Sequence, residues 1–334
     1  VNDTTSGELV IDTTAPTILA VTSATPDGSY GAGQAITITI QMSEAVTVDT
    51  TLGNPTLDLD TTPARSATFT SAAGNLLTFT YTSQAGDNAT DLDATALNLN
   101  GAVIEDAAGN AASFTGIATK LSSAAAIVID TTAPTAPGVD ALTTATVPPT
   151  ITGTNPTLGT GEVLTVTVNG ATYEVTPTGT TWSLDLATAA PASGTLGTFT
   201  DGTFSVTATV TDEVGNAESD TTANELVIDT TGGVAPTVDA LIANSTTPTI
   251  TGTATLGDGE ALSVTVSGAT YSVTPADGVW SVDLATDTPT SGALVALVDG
   301  DTYSITATLT DSANNEVNDT TSGELVIDTT APTI

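Results

Sequence analysis

One 18-residue segment, VNDTTSGELVIDTTAPTI, occurs twice without a change, at 1–18 and again at 317–334. Its core, Val-Ile-Asp-Thr-Thr followed shortly by Ala-Pro-Thr, recurs at 128–135 and, in altered form, at 227–237. Recurrence at a spacing of roughly 100 residues is the signature of a tandem array, in which such a motif joins one repeat to the next. Four joints enclose three complete repeats, each long enough to bury its own core.

The joints also predict where the domains begin and end, and we expect the chain to be part of a longer array. The predicted segments are 1–12, the last strand of a preceding repeat; 13–130, a first domain of divergent sequence; 131–229 and 230–328, a second and a third domain; and 329–334, the start of the next linker. The second and third domains are copies of each other, because matching residues such as Trp182 and Trp280 lie 98 positions apart.

Alternation of apolar and polar residues with period two predicts β-strands along the whole chain. The predicted strands are 35–42, 55–60 and 76–82 in the first domain and, in matching pairs of the copies, 150–153 and 249–252, 164–168 and 262–266, 181–186 and 279–284, 204–211 and 303–310, and 225–228 and 324–327. No window has the 3.6-residue apolar period of a helix, and the Ala-rich run at 122–126 is too short to form one. Seven or so strands per repeat predict an all-β chain, a tandem array of three immunoglobulin-like antiparallel β-sandwich domains.

Trp182 and Trp280 each lie in a predicted strand, between alternating apolar residues. An aromatic residue in that setting is predicted to lie in the core, where these domains have no Cys to form an inter-sheet disulfide. The alternative is that the two indoles are exposed and stack on a sugar.

The charge of the chain restricts its partners. Its 334 residues include 38 acidic and two basic residues, and the formal net charge is −36. Nucleic acid and anionic membrane both require Lys and Arg, so neither is an expected partner. Uncompensated carboxylates attract divalent cations instead.

The same composition argues against an enzyme. The chain has no Cys and no His, which removes cysteine nucleophiles and the commonest general base. Asp58 and Asp60 could be imagined as the paired carboxylates of a glycosidase. They alternate along one strand in a solvent-facing pattern, however, and we predict no catalytic site.

The clearest candidate site is a cluster of carboxylates at each joint. In an immunoglobulin-like domain the entering linker, the loop between the second and third strands, and the loop between the last two strands meet at one pole. The candidate ligands are Asp12, Glu44, Asp106 and Asn110 for the first domain; Asp130, Glu162, Asp212 and Asn216 for the second; and Asp229, Glu260, Asp311 and Asn315 for the third.

Calcium is the predicted ion, because it takes six to eight oxygen ligands in flexible geometry, whereas magnesium demands a strict octahedron and keeps its waters. The Asp-x-x-x-Asn loops could supply a carboxylate and an amide oxygen. A tight hairpin turn would select the same residues without a metal, since Asp forms Asx-turns and Gly and Asn tolerate positive φ. Four further aspartates could contribute, namely Asp140, Asp220, Asp239 and Asp319.

The joints have mechanical features of their own. Proline in Ala-Pro-Thr fixes φ and restricts the residue before it, so a short and stiff connection is expected. The joint after Asp229 reads Thr-Thr-Gly-Gly-Val-Ala-Pro, in which Pro236 aligns with Pro137 and Gly232 and Gly233 precede it. Because glycine adds backbone freedom, we expect this joint to be the more pliable one when calcium is absent.

Several motifs resemble the bacterial Ig-like repeats of giant type I-secreted, RTX-type and biofilm-associated adhesins. They are the Val-Ile-Asp-Thr-Thr-Ala-Pro-Thr joint, the Ile-Thr-Gly-Thr strand and the Tyr-Ser-Ile-Thr-Ala-Thr-Leu-Thr-Asp run with its following Asn. The first domain, with Gly-Ala-Gly-Gln-Ala-Ile-Thr-Ile and Asp-Ala-Ala-Gly-Asn, is similar to a second Ig-like subfamily of such proteins. The joint motif also occurs in S-layer and other large surface proteins.

The resemblance implies an extracellular extender on the bacterial cell surface, a monomeric rod whose partners are the neighbouring repeats of the same chain. Such a segment projects a distal ligand-binding domain for adhesion or biofilm formation and has no direct membrane contact. In that family the linker aspartates bind calcium, which carries over to Asp12, Asp130, Asp229 and Asp328; the Asp328 site would need the repeat that follows. The alternatives are an S-layer component or an Ig-like module that binds carbohydrate or protein through its loops, with Tyr30 as the one weak aromatic candidate.

Overall fold

The structure, a computed structural model, describes residues 11–114 and 120–333. Nearly all of the strand predicted at 1–12 therefore lies outside the described residues. The chain divides into two compact units. One takes in the described residues up to Ala136 together with 158–163 and 210–218, and the other takes in 137–157, 164–209 and 219–333.

The described residues are almost entirely β. Residues up to Asp130 form strands β1 (Ile18–Ser23), β2 (Gly28–Tyr30), β3 (Ala35–Met42), β4 (Thr47–Asp49), β5 (Thr56–Leu59), β6 (Arg65–Ala73), β7 (Leu76–Thr82), β8 (Asn88–Ala89), β9 (Ala94–Asn98), β10 (Val103–Glu105) and β11 (Ile127–Asp130). They make a six-stranded sheet in the order β1-β3-β7-β6-β5-β9, a pair β10-β4, and a three-stranded sheet β2-β11-β8. The alternation in β3 and β7 buries Ile36, Ile38, Ile40, Leu77 and Phe79 on one face, as the period-two pattern predicts.

The two copies, residues 131–229 and 230–328, have the same arrangement of strands. The first copy has β12 (Gly138–Val139), β13 (Leu142–Thr144), β14 (Thr150–Thr154), β15 (Val163–Val168), β16 (Ala171–Val175), β17 (Thr181–Asp185), β18 (Ser193–Gly194), β19 (Gly202–Phe204), β20 (Val206–Thr211), β21 (Ala217–Ser219) and β22 (Leu226–Ile228). The other has β23 (Thr237–Val238), β24 (Leu241–Ala243), β25 (Thr249–Thr253), β26 (Ala261–Val266), β27 (Ala269–Val273), β28 (Val279–Asp283), β29 (Ser291–Gly292), β30 (Thr302–Tyr303), β31 (Ile305–Thr310), β32 (Glu316–Asn318) and β33 (Leu325–Ile327). Their sheets are β12-β14-β17, β13-β22-β19 and β18-β16-β15-β20-β21, and correspondingly β23-β25-β28, β24-β33-β30 and β29-β27-β26-β31-β32.

Three strand pairs differ from the purely antiparallel arrangement predicted from the sequence. The pairs β2 with β11, β13 with β22, and β24 with β33 are parallel. In each case an early strand of the repeat lies beside its last strand and runs in the same direction. Strand patterns do not encode this pairing, because a parallel and an antiparallel neighbour bury the same face of a strand.

Both tryptophans are buried, which confirms the core prediction and removes them as exposed sugar platforms. Trp182 is 2% exposed and Trp280 is 1% exposed. Their indole N–H groups donate to Gly138 O at 3.1 Å and to Thr237 O at 3.0 Å. The glycine of each Ile-Thr-Gly-Thr strand makes room for the ring, since a Cβ on Gly252 would lie 2.5 Å from Trp280 Cζ2 and 2.0 Å from Thr237 O.

Some elements were not predicted. The strands β6, β16 and β27 are missing from the sequence analysis, although Asn169-Gly170, with φ of 45° and 87°, is the dipeptide that typically closes a two-residue hairpin. The prediction of no helix at 122–126 was wrong, because a single helical turn, α1 (Leu121–Ala124), forms there. The Asp93 carboxylate, far away in sequence, accepts hydrogen bonds from Leu121 N and Ser122 Oγ and so holds this single turn. Within the described residues no helix is long and apolar enough to cross a membrane.

Candidate metal centre

Each joint begins with an aspartate that closes a turn. Its Oδ1 accepts the backbone N–H two residues further on, and the four bonds are Thr14 N to Asp12 at 2.9 Å, Thr132 N to Asp130 at 3.0 Å, Thr231 N to Asp229 at 3.1 Å and Thr330 N to Asp328 at 3.2 Å. These are Asx-turns, which the Asp-Thr-Thr sequence favours. One oxygen of each linker carboxylate is thereby fixed by its own linker.

The Asp-x-x-x-Asn loops share a second geometry, in which Asp Oδ1 accepts the N–H groups two and four residues on and the Asn amide donates to Asp Oδ2. The loops are 106–110, 212–216 and 311–315. The same amide nitrogen also donates to the backbone carbonyl of the linker aspartate. The distances are 3.1 Å from Asn110 to Asp12, 3.0 Å from Asn216 to Asp130 and 2.8 Å from Asn315 to Asp229. The amide nitrogens of the asparagines thus bring loop and linker together as hydrogen-bond donors, and the prediction that their amide oxygens bind a metal stays a prediction.

Three carboxylates converge at the first joint. One oxygen each from Asp12, Glu44 and Asp106 lies within 4.8 Å of the others. Burial raises the pKa of Glu44, and the charges of Asp12 and Asp106 raise it further. Hydrogen bonds from the side chain and backbone of Asn110 lower the pKa of Asp106. The donor set consists of hard oxygens with uncompensated negative charge, and it therefore fits a divalent cation.

The second joint brings three of its four predicted residues to one cavity of about 400 Å³. Asp130, Glu162 and Asp212 line it together with Glu213, which the sequence analysis did not include. Glu162 Oε2 accepts the N–H of Gly159 at 2.7 Å, which holds this carboxylate in its own loop. In the part of the chain that the structure describes, three carboxylate oxygens come within 4.8 Å of one another only at the first joint.

At the third joint the linker itself packs against the predicted glutamate. Glu260 Oε2 accepts the N–H of Gly257 at 2.6 Å, as Glu162 does in the other copy. A Cβ on Gly233 would lie 2.2 Å from Glu260 Oε1. The hydrogen bonds from Asn315 lower the pKa of Asp311.

Five other aspartates suggested by the sequence are engaged in hydrogen bonds to nearby strands or turns. Asp140 and Asp239 accept from Thr152 Oγ1 and Thr251 Oγ1, Asp220 and Asp319 accept from Ala208 N and Ala307 N, and Asp58 accepts from Ser66 Oγ and Asn98 Nδ2. These bonds tie strands of one repeat to each other. The Tyr30 hydroxyl donates to Pro26 O at 2.6 Å.

Two aspartates that were not predicted hold the Thr-Thr pairs of the third and fourth joints. Asp201 accepts from Thr230 and Thr231, and Asp299 accepts from Thr329 and Thr330. Hydrogen bonds from these threonines lower the pKa of both aspartates. Repetition of Asp-Thr-Thr at every joint is the signal that could have drawn attention to the threonines, but it does not reveal their partners.

Comparison with known proteins leaves the family of the chain open. No family model matches it, and no curated protein matches it in sequence. Among solved structures, dimeric latent PorU from Porphyromonas gingivalis is 10% identical with a TM-score of 0.20, covering 95% of this chain, which spans only 34% of that one. The Bacteroides ovatus glucan-utilisation protein SGBP-B, solved with a mixed-linkage heptasaccharide, is 14% identical with a TM-score of 0.20, and the match covers 94% of this chain and 71% of that one. The human desmocollin-1 ectodomain is 9% identical with a TM-score of 0.19, and the match covers 94% of this chain and 60% of that one. Superpositions this poor carry no argument about function.

Proposed function

We propose that the chain is a non-enzymatic extender segment of a bacterial cell-surface adhesin. In this proposal its three repeats are immunoglobulin-like β-sandwich domains in tandem, and calcium at the joints stiffens the array. The segment would project a distal ligand-binding domain into the extracellular space. The repeated joint motif and the resemblance to adhesin repeats support this reading, as does an acidic composition with almost no basic residues.

The convergence of Asp12, Glu44 and Asp106 is the observation that carries the calcium part. Three carboxylates within 4.8 Å repel one another, and a Ca²⁺ ion relieves that repulsion while taking oxygens from a linker and from two loops of the repeat that follows. Calcium tolerates additional carbonyl and water ligands at irregular angles, which suits a site assembled from three separate segments. A bound ion would fix the direction in which the linker enters the first repeat.

A calcium titration of the whole chain tests this proposal. We expect heat of binding in calorimetry and a rise in melting temperature, because at a free Ca²⁺ concentration 100 times Kd a single site stabilises the folded state by about 2.7 kcal/mol. Magnesium should have a much smaller effect. The variant Glu44→Gln keeps the size of the side chain but removes one charge, and it should lose the binding event assigned to this site.

Glu174→Gln is a suitable control, since Glu174 is an exposed glutamate on β16, outside the joints. It should bind calcium as the natural chain does. Equal melting temperatures with calcium and with chelator, together with no heat of binding, would refute the calcium part of the proposal.

A further inference from the structure

The Thr-Thr pair of the third joint is bound to the repeat that precedes it. Thr230 donates from its backbone N at 2.9 Å and from its hydroxyl at 2.6 Å to Asp201 Oδ1. Thr231 donates from its hydroxyl to the other oxygen, Asp201 Oδ2, at 2.6 Å. Both oxygens of one carboxylate therefore hold the two residues that follow Asp229.

The Thr-Thr pairs of the second and fourth joints are held in the same place by other groups. Thr131 N and Thr132 Oγ1 both donate to Asn88 Oδ1 at 3.1 Å, and Thr131 Oγ1 donates to Asp87 O at 2.9 Å. After Asp328, Thr330 Oγ1 donates to Asp299 at 2.8 Å and Thr329 N donates to the same carboxylate. The threonine pair is therefore the same at these joints, whereas the residue that accepts its hydrogen bonds differs from one joint to the next.

The following repeat holds the third joint from the other side. Asn315 Nδ2 donates to Asp229 O at 2.8 Å. Gly232 and Gly233 lie so close to this repeat that a Cβ would come within 2.3 Å of Val317 Cγ2 and 2.6 Å of Leu309 Cδ2, respectively. Neither glycine is among the residues with positive φ. Their role in the structure is therefore close packing rather than an unusual backbone conformation.

We propose that Thr230 and Thr231 form a latch with Asp201 that fixes the linker without any cation. The latch, the Asn315 bond and the packed glycines keep the third joint ordered in the presence of a chelator. This reverses the expectation that Gly232 and Gly233 make it pliable when calcium is absent. The latch takes the third joint out of the joints that calcium stiffens in the proposed function. It does not depend on calcium binding at Asp12 and stands or falls independently of it.

Hydrogen exchange and spin-label distances of the full chain in chelator test the latch. The chain has no Cys, so Ser183→Cys and Ser281→Cys place labels at matching exposed positions of the two copies. We expect protection of the Thr230 amide and a narrow distance distribution, neither changed by added Ca²⁺. In the variant T230V/T231V we expect about tenfold faster exchange of this amide, because hydrogen bonds to a charged acceptor are lost, and a broader distance distribution.

The matched control is T329V/T330V, which removes hydroxyls from the equivalent pair on Asp299 and should leave both measurements at the third joint unchanged. Asp201→Ala, which removes both acceptor oxygens, is a second variant and is expected to behave as T230V/T231V does. If the natural chain shows fast exchange and a broad distribution in chelator that calcium narrows, the latch is overturned. Equal results for the natural chain and T230V/T231V would overturn it as well.

Discussion

Replacing Trp280 with alanine is expected to lower the stability of the last copy by about 3–5 kcal/mol, the range for removing a large aromatic side chain from a packed core. Trp280 is 1% exposed and packs in a core with Tyr271, Val264 and Leu325. The substitution also deletes the hydrogen bond from the indole to Thr237 O, which ties β23 to β28. Gly252, which lies against the indole, has no side chain that could fill the cavity.

The two tryptophans are the only ones in the chain, so each reports on its own copy. In Trp280→Ala, urea unfolding followed by circular dichroism should show an early transition that the fluorescence of Trp182 does not follow. In Trp182→Ala the other copy should unfold early, and the fluorescence of Trp280 should not follow that early transition. Val279→Ala, at a half-exposed position on the same strand, is the control and should change the midpoint little. An unchanged midpoint for Trp280→Ala would mean that the indole is not packed as described.

The second large effect is expected at Asp87, a fully buried carboxylate in the first repeat. Arg65 Nε and the Tyr81 hydroxyl each donate to it at 2.7 Å, and Gln84 N donates at 2.8 Å. Asp87→Ala leaves three donors without their acceptor. We expect a loss of about 3 kcal/mol, at the lower end for breaking a buried pair, because the Arg65 side chain is still about one-third exposed.

The same network predicts how stability depends on pH. Burial raises the pKa of Asp87, but the hydrogen bonds from Tyr81, Arg65 and Gln84 outweigh it and leave the pKa below its ordinary value. A carboxyl with a lowered folded-state pKa contributes its full stability above the unfolded value of about 3.9 and loses it as the pH falls through the folded value. The difference in unfolding free energy between the natural chain and Asp87→Ala should therefore be constant near neutral pH and shrink below about pH 4.

Calorimetry over a pH series measures this difference. Asp91→Ala serves as the control, because Asp91 is exposed and close to Asp87 in sequence. It should follow the natural chain at every pH. A difference between the natural chain and Asp87→Ala that stayed constant down to pH 2 would contradict the assigned role.

The β-strands were predictable where one face of the strand is buried. The period-two patterns of 35–42 and 76–82 coincide with β3 and β7, and the predicted strands of the copies agree with the structure to within one or two residues at most ends. The burial of both tryptophans was also predictable, since neighbouring apolar residues alternate with them. Strand β6 and the parallel pairs were not, because they depend on which strand lies alongside and not on the pattern within a strand.

The candidate metal site was likewise predictable only in part from the sequence. Repetition pointed to Asp12, Asp106 and Asn110 as candidates, and the structure brings Asp12 and Asp106 close to Glu44. Sequence could not show that three carboxylates approach within 4.8 Å at this joint, while Glu162 and Glu260 are each held by a glycine N–H of their own loop. Sequence also could not show that the Asn110 amide nitrogen donates to Asp106 and to the Asp12 carbonyl, since the partners of an amide depend on its neighbours in space.

The sequence by itself determined the period at which the joint motif recurs and the β class, because these follow from recurrence and from alternation along the backbone; the domain boundaries drawn from that motif stay a prediction. Only the tertiary structure decided what the threonines of Asp-Thr-Thr do and why glycine stands at 232 and 233. Both answers depend on groups far away in sequence: Asp201 accepts from the threonines, and side-chain atoms of Val317, Leu309 and Glu260 lie where a Cβ at 232 or 233 would come. A residue's own sequence neighbourhood carries no record of such partners.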